Sequence, residues 1–187
     1  MKKFACLLVA LILCVSCVAM ASAASSKTVS NLTQTTTPVT TQGFVVKLIV
    51  EETENPELMA TAQKEIEKIA ASESVEAYFG ELGADLKAKV EAETLNVNEL
   101  YAIVASGYTE DLGEVTVQFQ FATPYAVGDK VAVAIGFVTV AEDGTQSVAW
   151  NVVDAAVVAE SVIEVTLAPA TVMAIQEGTA LLAVVSK

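Results

Sequence analysis

Carboxylates are the main side chains in this sequence that could do chemistry. Aspartate and glutamate together number 23, histidine is absent, and all ten basic residues are lysines. Without histidine the chain lacks the general base of Ser-His and Cys-His catalysis and a common ligand of zinc, copper and iron. Without arginine it lacks the planar fork that clamps phosphate groups. Carboxylate-based hydrolysis and calcium binding are the chemistries left to consider.

Nucleophile and phosphate-binding motifs are also missing. All three cysteines precede Ala24, no serine stands three residues before a lysine, and neither G-x-x-x-x-G-K nor G-x-G-x-x-G occurs. We therefore expect a protein that is not an enzyme, with no catalytic residues, no cofactor and no metal.

The alternatives to that expectation rest on acidic clusters. A glycan hydrolase needs two carboxyl groups facing across a cleft, and Glu51, Glu52 and Glu54 cluster after a predicted strand. A solvated acidic turn explains the same cluster, and loss of turnover in a single Glu→Gln variant would be needed to establish hydrolysis. Calcium could bind at Glu142-Asp143 or Glu110-Asp111, although neither pair fits the D-x-[DN]-x-[DN]-G loop.

Three aromatic residues are candidates for ligand binding. Tyr108 and Tyr125 lie in or beside predicted turns, where binding surfaces often form. Trp150, the one tryptophan, could be a core residue or a platform on which a sugar stacks.

The first 23 residues are typical of a secretory signal peptide. Lys2 and Lys3 precede an apolar stretch, and Ala21-Ser22-Ala23 predicts cleavage between Ala23 and Ala24. The apolar stretch is too short for a membrane span. Val15-Ser16-Cys17 resembles a bacterial lipobox, so lipidation of Cys17 is the alternative. The protein is expected to be secreted, or else to be a cell-surface lipoprotein.

The part after the signal peptide is strongly acidic and begins with a polar stretch. Eight lysines against 23 acidic residues give a formal charge of −15, which disfavours nucleic acid and suits cations, basic proteins or neutral glycans. Residues 24–42 are rich in threonine and predict a flexible stem. The same stem could instead be donated as a strand to a neighbouring copy.

Residues 43–94 predict one strand followed by helices. Phe44 to Glu51 has strand composition, and Asn55-Pro56 predicts a helix start. A second helix is expected near Ser74 and should end at Gly83. Residues 84–94 fit a helix or a strand, and their composition favours a helix.

Residues 95–187 are rich in predicted strands, centred on a hairpin between Lys130 and Val153. Residues 131–138 are apolar on both faces, which indicates a central strand, and Asp143-Gly144 supplies the turn. Further strands are expected at 114–121, 155–158, 162–167 and 180–185, with a short helix from Pro169. The expected fold is α+β: an antiparallel β-sandwich, immunoglobulin-like in architecture, with a helical N-terminal section and a short helix before the last strand. Residues 43–187 should form one unit.

Several motifs from about Gly113 onward carry a family resemblance. They are TVQFQFATPY, DKVAVAIGFV, the Asp143-Gly144 turn followed by Trp150, and AIQEGTALLAVVS. With them, residues 113–187 resemble uncharacterised secreted β-rich domain proteins of Gram-positive, gut-type bacteria. The resemblance implies a secreted β-rich module and carries no catalytic residues.

Together these features predict a secreted or surface-displayed, non-catalytic module that binds or builds extracellular structure. Its partner would be cell wall, a glycan or an extracellular protein. The alternatives are a carboxylate-based glycan hydrolase and a self-assembling fibre subunit that uses the Thr-rich stem or an edge strand. The ligand and the oligomeric state are left open.

Overall fold

The structure, a computed structural model, describes residues 37–38, 44–50 and 53–187. The predicted signal peptide (1–23), its cleavage site at Ala23 and Ala24, Cys17, and the Thr-rich stem (24–42) apart from Thr37–Pro38 lie outside the described residues.

The described residues form a mostly antiparallel β-sheet accompanied by helices. The strands are β1 Thr37–Pro38, β2 Val45–Ile49, β3 Asn96–Ser106, β4 Val115–Gln120, β5 Ala132–Val140, β6 Gln146–Ala159, β7 Val162–Leu167 and β8 Thr179–Ser186. The α-helices are α1 Pro56–Ala71, α2 Val75–Phe79, α3 Leu82–Val90 and α4 Pro169–Glu177, and Glu110–Leu112 form a 3-10 helix.

The two halves of the sheet share its longest strand, β6. The strand order is β1-β4-β7-β6-β5-β8-β3-β2, and each neighbouring pair is antiparallel. The first part of β6 pairs with β5 as far as Val153, and its second part pairs with β7 from Asp154. One continuous strand therefore serves both halves of the sheet.

The coarse expectation of a β-rich, sandwich-like fold is confirmed, but the immunoglobulin-like architecture is not. An immunoglobulin fold packs two separate sheets, whereas here the two halves share β6. The strand predicted at 155–158 is likewise not a separate element. It continues the strand that returns from the Asp143-Gly144 turn, because no turn residues interrupt 146–159.

Two apolar cores lie on opposite faces of the β5–β8–β3–β2 half. The inner core joins this half to β4, β7 and α4, and the outer core joins it to α1, α2 and α3. Strand β5 contributes to both, with Val133 and Ile135 inward and Ala132 and Ala134 outward. The prediction that β5 is a central strand covered on both faces is thus confirmed.

Both helix starts lie where the sequence predicts them, and Asn55 caps α1 as predicted. The Asn55 side chain accepts a hydrogen bond from the Leu58 N–H (3.1 Å), and the Ser74 hydroxyl accepts one from the Ala77 N–H (3.1 Å). The prediction that Gly83 ends α2 is wrong, since α2 ends at Phe79 and Gly83 lies inside α3. Gly83 is needed there for close approach, because a Cβ atom would lie 2.8 Å from the Glu76 carbonyl oxygen.

No helix in the described part of the chain combines the length and apolar character required to cross a membrane.

Candidate functional site

Trp150 lies half-buried between the sheet and the helices. Its ring makes edge-to-face contacts with Phe79 (ring centroids 5.3 Å apart) and Tyr78 (6.3 Å), and its indole N–H donates to the Tyr78 hydroxyl (3.2 Å). The side chain packs against the outer core. These contacts favour the core interpretation of Trp150 over a free sugar-stacking platform.

A buried carboxylate that the sequence did not predict as a site residue is linked to Trp150 through the Tyr78 hydroxyl. Glu65 is 1% exposed and accepts hydrogen bonds from the Tyr78 hydroxyl (2.7 Å), the Gln146 amide (2.7 Å) and the Lys68 ammonium (2.6 Å). These contacts tie α1 to α2 and to the start of β6. The sequence feature that indicated burial of Glu65 was its position three residues after Ala62, within the apolar stripe of α1.

Tyr108 is a core residue. Its side chain is buried against Phe44, with ring centroids 5.4 Å apart, and its hydroxyl donates to the Gly113 carbonyl (2.7 Å). Its backbone N–H donates to the Gln176 side chain (2.8 Å). Tyr108 therefore fastens the turn after β3, and its ring is not available at the surface in this structure.

Tyr125 is also buried, in a polar cluster around Glu99. Glu99, 6% exposed, accepts hydrogen bonds from the Tyr101 hydroxyl, the Thr123 hydroxyl and the Thr123 N–H (3.2 Å). The Tyr125 hydroxyl is buried without a regular hydrogen-bond partner among the described residues, with Asn98 and Thr123 nearby. Burial raises the pKa of Tyr125 to about 12. The predicted ligand-binding role of Tyr108 and Tyr125 stays a prediction, and it would require their exposure.

The two tyrosines of this cluster should respond oppositely to loss of their hydroxyls. Tyr101→Phe removes a donor to a buried carboxylate and should lower the free energy of unfolding by about 2 kcal/mol. Tyr125→Phe removes an unpartnered hydroxyl and should leave stability unchanged or raise it by up to about 1 kcal/mol. Urea denaturation of both variants tests this. Equal losses would contradict the cluster as described.

The acidic pairs proposed for calcium lie at turns. The Asp143 carboxylate accepts a hydrogen bond from the Thr145 N–H (2.8 Å), and this bond holds the pKa of Asp143 below its ordinary value. Glu110 and Asp111 belong to the 3-10 helix. Across residues 37–38, 44–50 and 53–187, no three acidic residues converge on a possible metal position. Glu51 and Glu52 lie outside the described residues, and Glu54 pairs with Lys47 (3.2 Å).

The candidate site is a cleft of about 330 Å³ where β5 and β6 diverge. Residues 128–131 form one wall, residues 153–157 form the other, and Lys89 of α3 also lines it. Pairing between β5 and β6 stops at Val133–Val153. Continuing the same register would set Val131 opposite Ala155 and Lys130 opposite Ala156, so the cleft lies where these pairs would have formed. We call it the β5–β6 cleft.

Two ion pairs join the C-terminal end of α3 to the two walls. The Lys89 ammonium lies 2.9 Å from the Asp154 carboxylate, and the Lys130 ammonium lies 3.0 Å from the Glu91 carboxylate. All four side chains are at least 42% exposed. Exposed pairs of this kind contribute about 0–1 kcal/mol each, so a ligand could displace them at little cost.

The β5–β6 cleft is lined by backbone groups that can form hydrogen bonds and by charged side chains. Its apolar lining comes from Val131, Val153 and Val157. Asp129 and Asp154 lie on opposite walls. Asp129 accepts a hydrogen bond from the Ala126 N–H (2.8 Å), and Asp154 pairs with Lys89. Sequence reasoning missed this site because divergence of two paired strands has no local pattern. It also brings together none of Tyr108, Tyr125 and Trp150.

No protein-family model, curated protein or solved structure matches this chain.

Proposed function

We propose that this protein is a secreted or surface-displayed, non-catalytic module that binds extracellular structure through the β5–β6 cleft. The observation that carries the proposal is the cleft itself, an open site of about 330 Å³ between β6 and the chain that leads into β5. Its volume lies within the range of ligand pockets, about 300–1,000 Å³.

The placement of the buried carboxylates supports binding over hydrolysis. Glu65 lies in the outer core, whereas Glu99 lies on the inner face of β3, and each is engaged by several hydrogen-bond donors. Through these hydrogen bonds both carboxylates contribute to the fold. Asp129 and Asp154 are the carboxylates on opposite walls of the cleft, and a hydrolase would have to use these two.

Binding is tested with the protein purified from its own host in the form that the host exports. Saturable binding to isolated cell wall, to a glycan panel or to extracellular protein is expected. Ala156→Phe, which fills the cleft without adding charge, should abolish that binding. Ala149→Phe is the matched control, because Ala149 is an exposed residue of the same strand outside the cleft. Equal binding by both variants would mean that the cleft is not the site.

Export is tested by the intact mass of the protein from its own cells, with membrane and medium fractions kept apart. A chain starting at Ala24 in the medium is expected. A membrane-bound chain starting at lipidated Cys17 would indicate a tethered module, and a full-length chain retained inside the cell would contradict export.

A fibre subunit is the second candidate, favoured by the pairing of β1. Thr37 and Pro38 of the Thr-rich stem pair with Gln118 and Val117 at the edge of β4. The same contact made between copies would link subunits into a chain. Deleting residues 25–42 should then convert large assemblies into monomers in analytical ultracentrifugation. A full-length protein that is monomeric at high concentration would contradict this candidate.

A further inference from the structure

The strongest feature of the β5–β6 cleft is an unpaired edge of strand β6. Among the described residues, none pairs with the side of Ala155–Val157 that faces the β5–β6 cleft. The opposite wall, residues 128–131, precedes β5 and is not a strand, and its Asp129 N–H donates to the Ala126 carbonyl (2.9 Å). Free edges are templates for a further strand, because their N–H and C=O groups still lack partners. The cleft therefore suits a main chain in extended conformation.

The dimensions limit such a ligand to a short segment. Asp154 to Val157 spans about 10 Å at the rise of a β-strand, which matches three or four ligand residues. Because β5 and β6 are antiparallel, a segment that takes the place of β5 beside Ala155–Val157 would run antiparallel to β6. Small side chains at Ala155 and Ala156 leave room for it.

The charges around the cleft favour a basic segment. Asp129 and Asp154 on the walls and Glu91 beside them outnumber Lys89 and Lys130. The side chain of Asp154 is 85% exposed, so it can accept a second cation while near Lys89. The formal charge of the whole chain is −13, which raises the encounter rate with basic partners.

We infer that the β5–β6 cleft binds a short, extended, lysine-containing peptide segment of an extracellular protein by strand addition. This inference rests on the proposed binding function and specifies its ligand class. Main-chain hydrogen bonds to the free edge of β6 provide affinity. Asp154 and Asp129 select basic side chains.

The test is fluorescence anisotropy of the full chain with labelled hexapeptides that carry valine at alternate positions. The intervening positions hold lysine, threonine or glutamate in three otherwise identical probes. The lysine probe should bind about threefold to tenfold more tightly than the glutamate probe at low salt. The difference should shrink in about 0.5 M salt. Methylating alternate backbone amides of the lysine probe should weaken binding, because it removes donors to the free edge of β6.

Two variants separate charge selection from strand addition. Ala156→Phe should abolish binding of all three probes, whereas Ala149→Phe should leave it unchanged, with both variants keeping the same thermal midpoint as the parent. Asp154→Asn should reduce the preference for lysine and retain binding of the threonine probe.

The outcomes distinguish this inference from the proposed function. The inference would be overturned if the glutamate probe bound more tightly than the lysine probe. It would also be overturned if Ala156→Phe and Ala149→Phe affected probe binding equally. If no probe binds while cell wall or glycan still binds in a manner sensitive to Ala156→Phe, the peptide ligand is wrong and the binding function stands. If the parent protein binds no probe, no cell wall, no glycan and no extracellular protein, both the inference and the proposed function are wrong.

Discussion

Raising the pH from 9 to 12 is expected to unfold this protein cooperatively. Tyr101 and Tyr125 are each no more than 4% exposed, and Tyr78 is half-buried beside Glu65. Burial raises the pKa of Tyr125 to about 12, and burial together with a hydrogen bond to a carboxylate raises the pKa of Tyr101 and of Tyr78. A buried phenolate has no favourable environment in these positions.

The direction follows from linkage between protonation and folding. A tyrosine ionises near pH 10 in the unfolded chain, so between about pH 10 and 12 the folded state holds more protons than the unfolded state. The stabilising contribution is complete below pH 10 and is lost as the pH rises. For Tyr125 a difference of about two pKa units corresponds to about 3 kcal/mol. Tyr78 and Tyr101 add to this loss, and deprotonation of lysines increases the negative charge further.

Alkaline titration followed by far-UV circular dichroism and by tyrosinate absorbance would check this prediction. The two signals should change together, and Tyr125→Phe should move the midpoint to higher pH. Tyrosinate absorbance that rises near pH 10 while the circular dichroism stays native would contradict the burial of these rings.

The second large effect is expected for Gly136→Val in the centre of β5. A Cβ atom at Gly136 would lie 2.5 Å from Val148 Cγ1 and 2.7 Å from Cε3 and Cζ3 of Trp150. Trp150 is paired with Gly136 across the strands and is held by Tyr78 and Phe79. Its ring could move away only by giving up those contacts. We expect Gly136→Val to lower the free energy of unfolding by about 3 kcal/mol.

Chemical denaturation of Gly136→Val measures the loss, and Ala149→Val is the control. Ala149 lies on the neighbouring strand opposite Phe137 with its side chain exposed, so valine there should be neutral. Combining Gly136→Val with Trp150→Ala should cost less than the sum of the two single changes, because the added methyl groups occupy space left by the ring. Strict additivity would mean that Gly136 and Trp150 do not interact as described.

The central hairpin and the helix starts could be read from the sequence because their signals are local. Asp143-Gly144 marks a turn whatever the rest of the chain does, and Asn55 caps α1 through a residue three positions away. The alternation of Val133 and Ile135 with Ala132 and Ala134 predicted a strand covered on both faces, and the two cores confirm it. Gly83 shows the limit of local signals. A glycine is required at this position because the backbone of Glu76 lies close to it, and not because a helix ends there.

Burial of the turn tyrosines depends on contacts that the sequence does not display. Tyr108 and Tyr125 follow strands near turns, a position that predicts exposure as readily as burial. Their rings become core because Phe44 packs on one and Phe121 packs on the other. Phe44 is 64 residues away from Tyr108 along the chain, and no local pattern encodes their meeting.

The sequence by itself determined most of the strands, the starts of the first two helices and which chemistries lack their residues, because periodicity, caps and composition are local properties. The tertiary structure alone decided that β6 serves both halves of the sheet, and that pairing between β5 and β6 ends at the Val133–Val153 pair. Strand pairing depends on the relative placement of distant segments. The β5–β6 cleft therefore exists only in the folded chain.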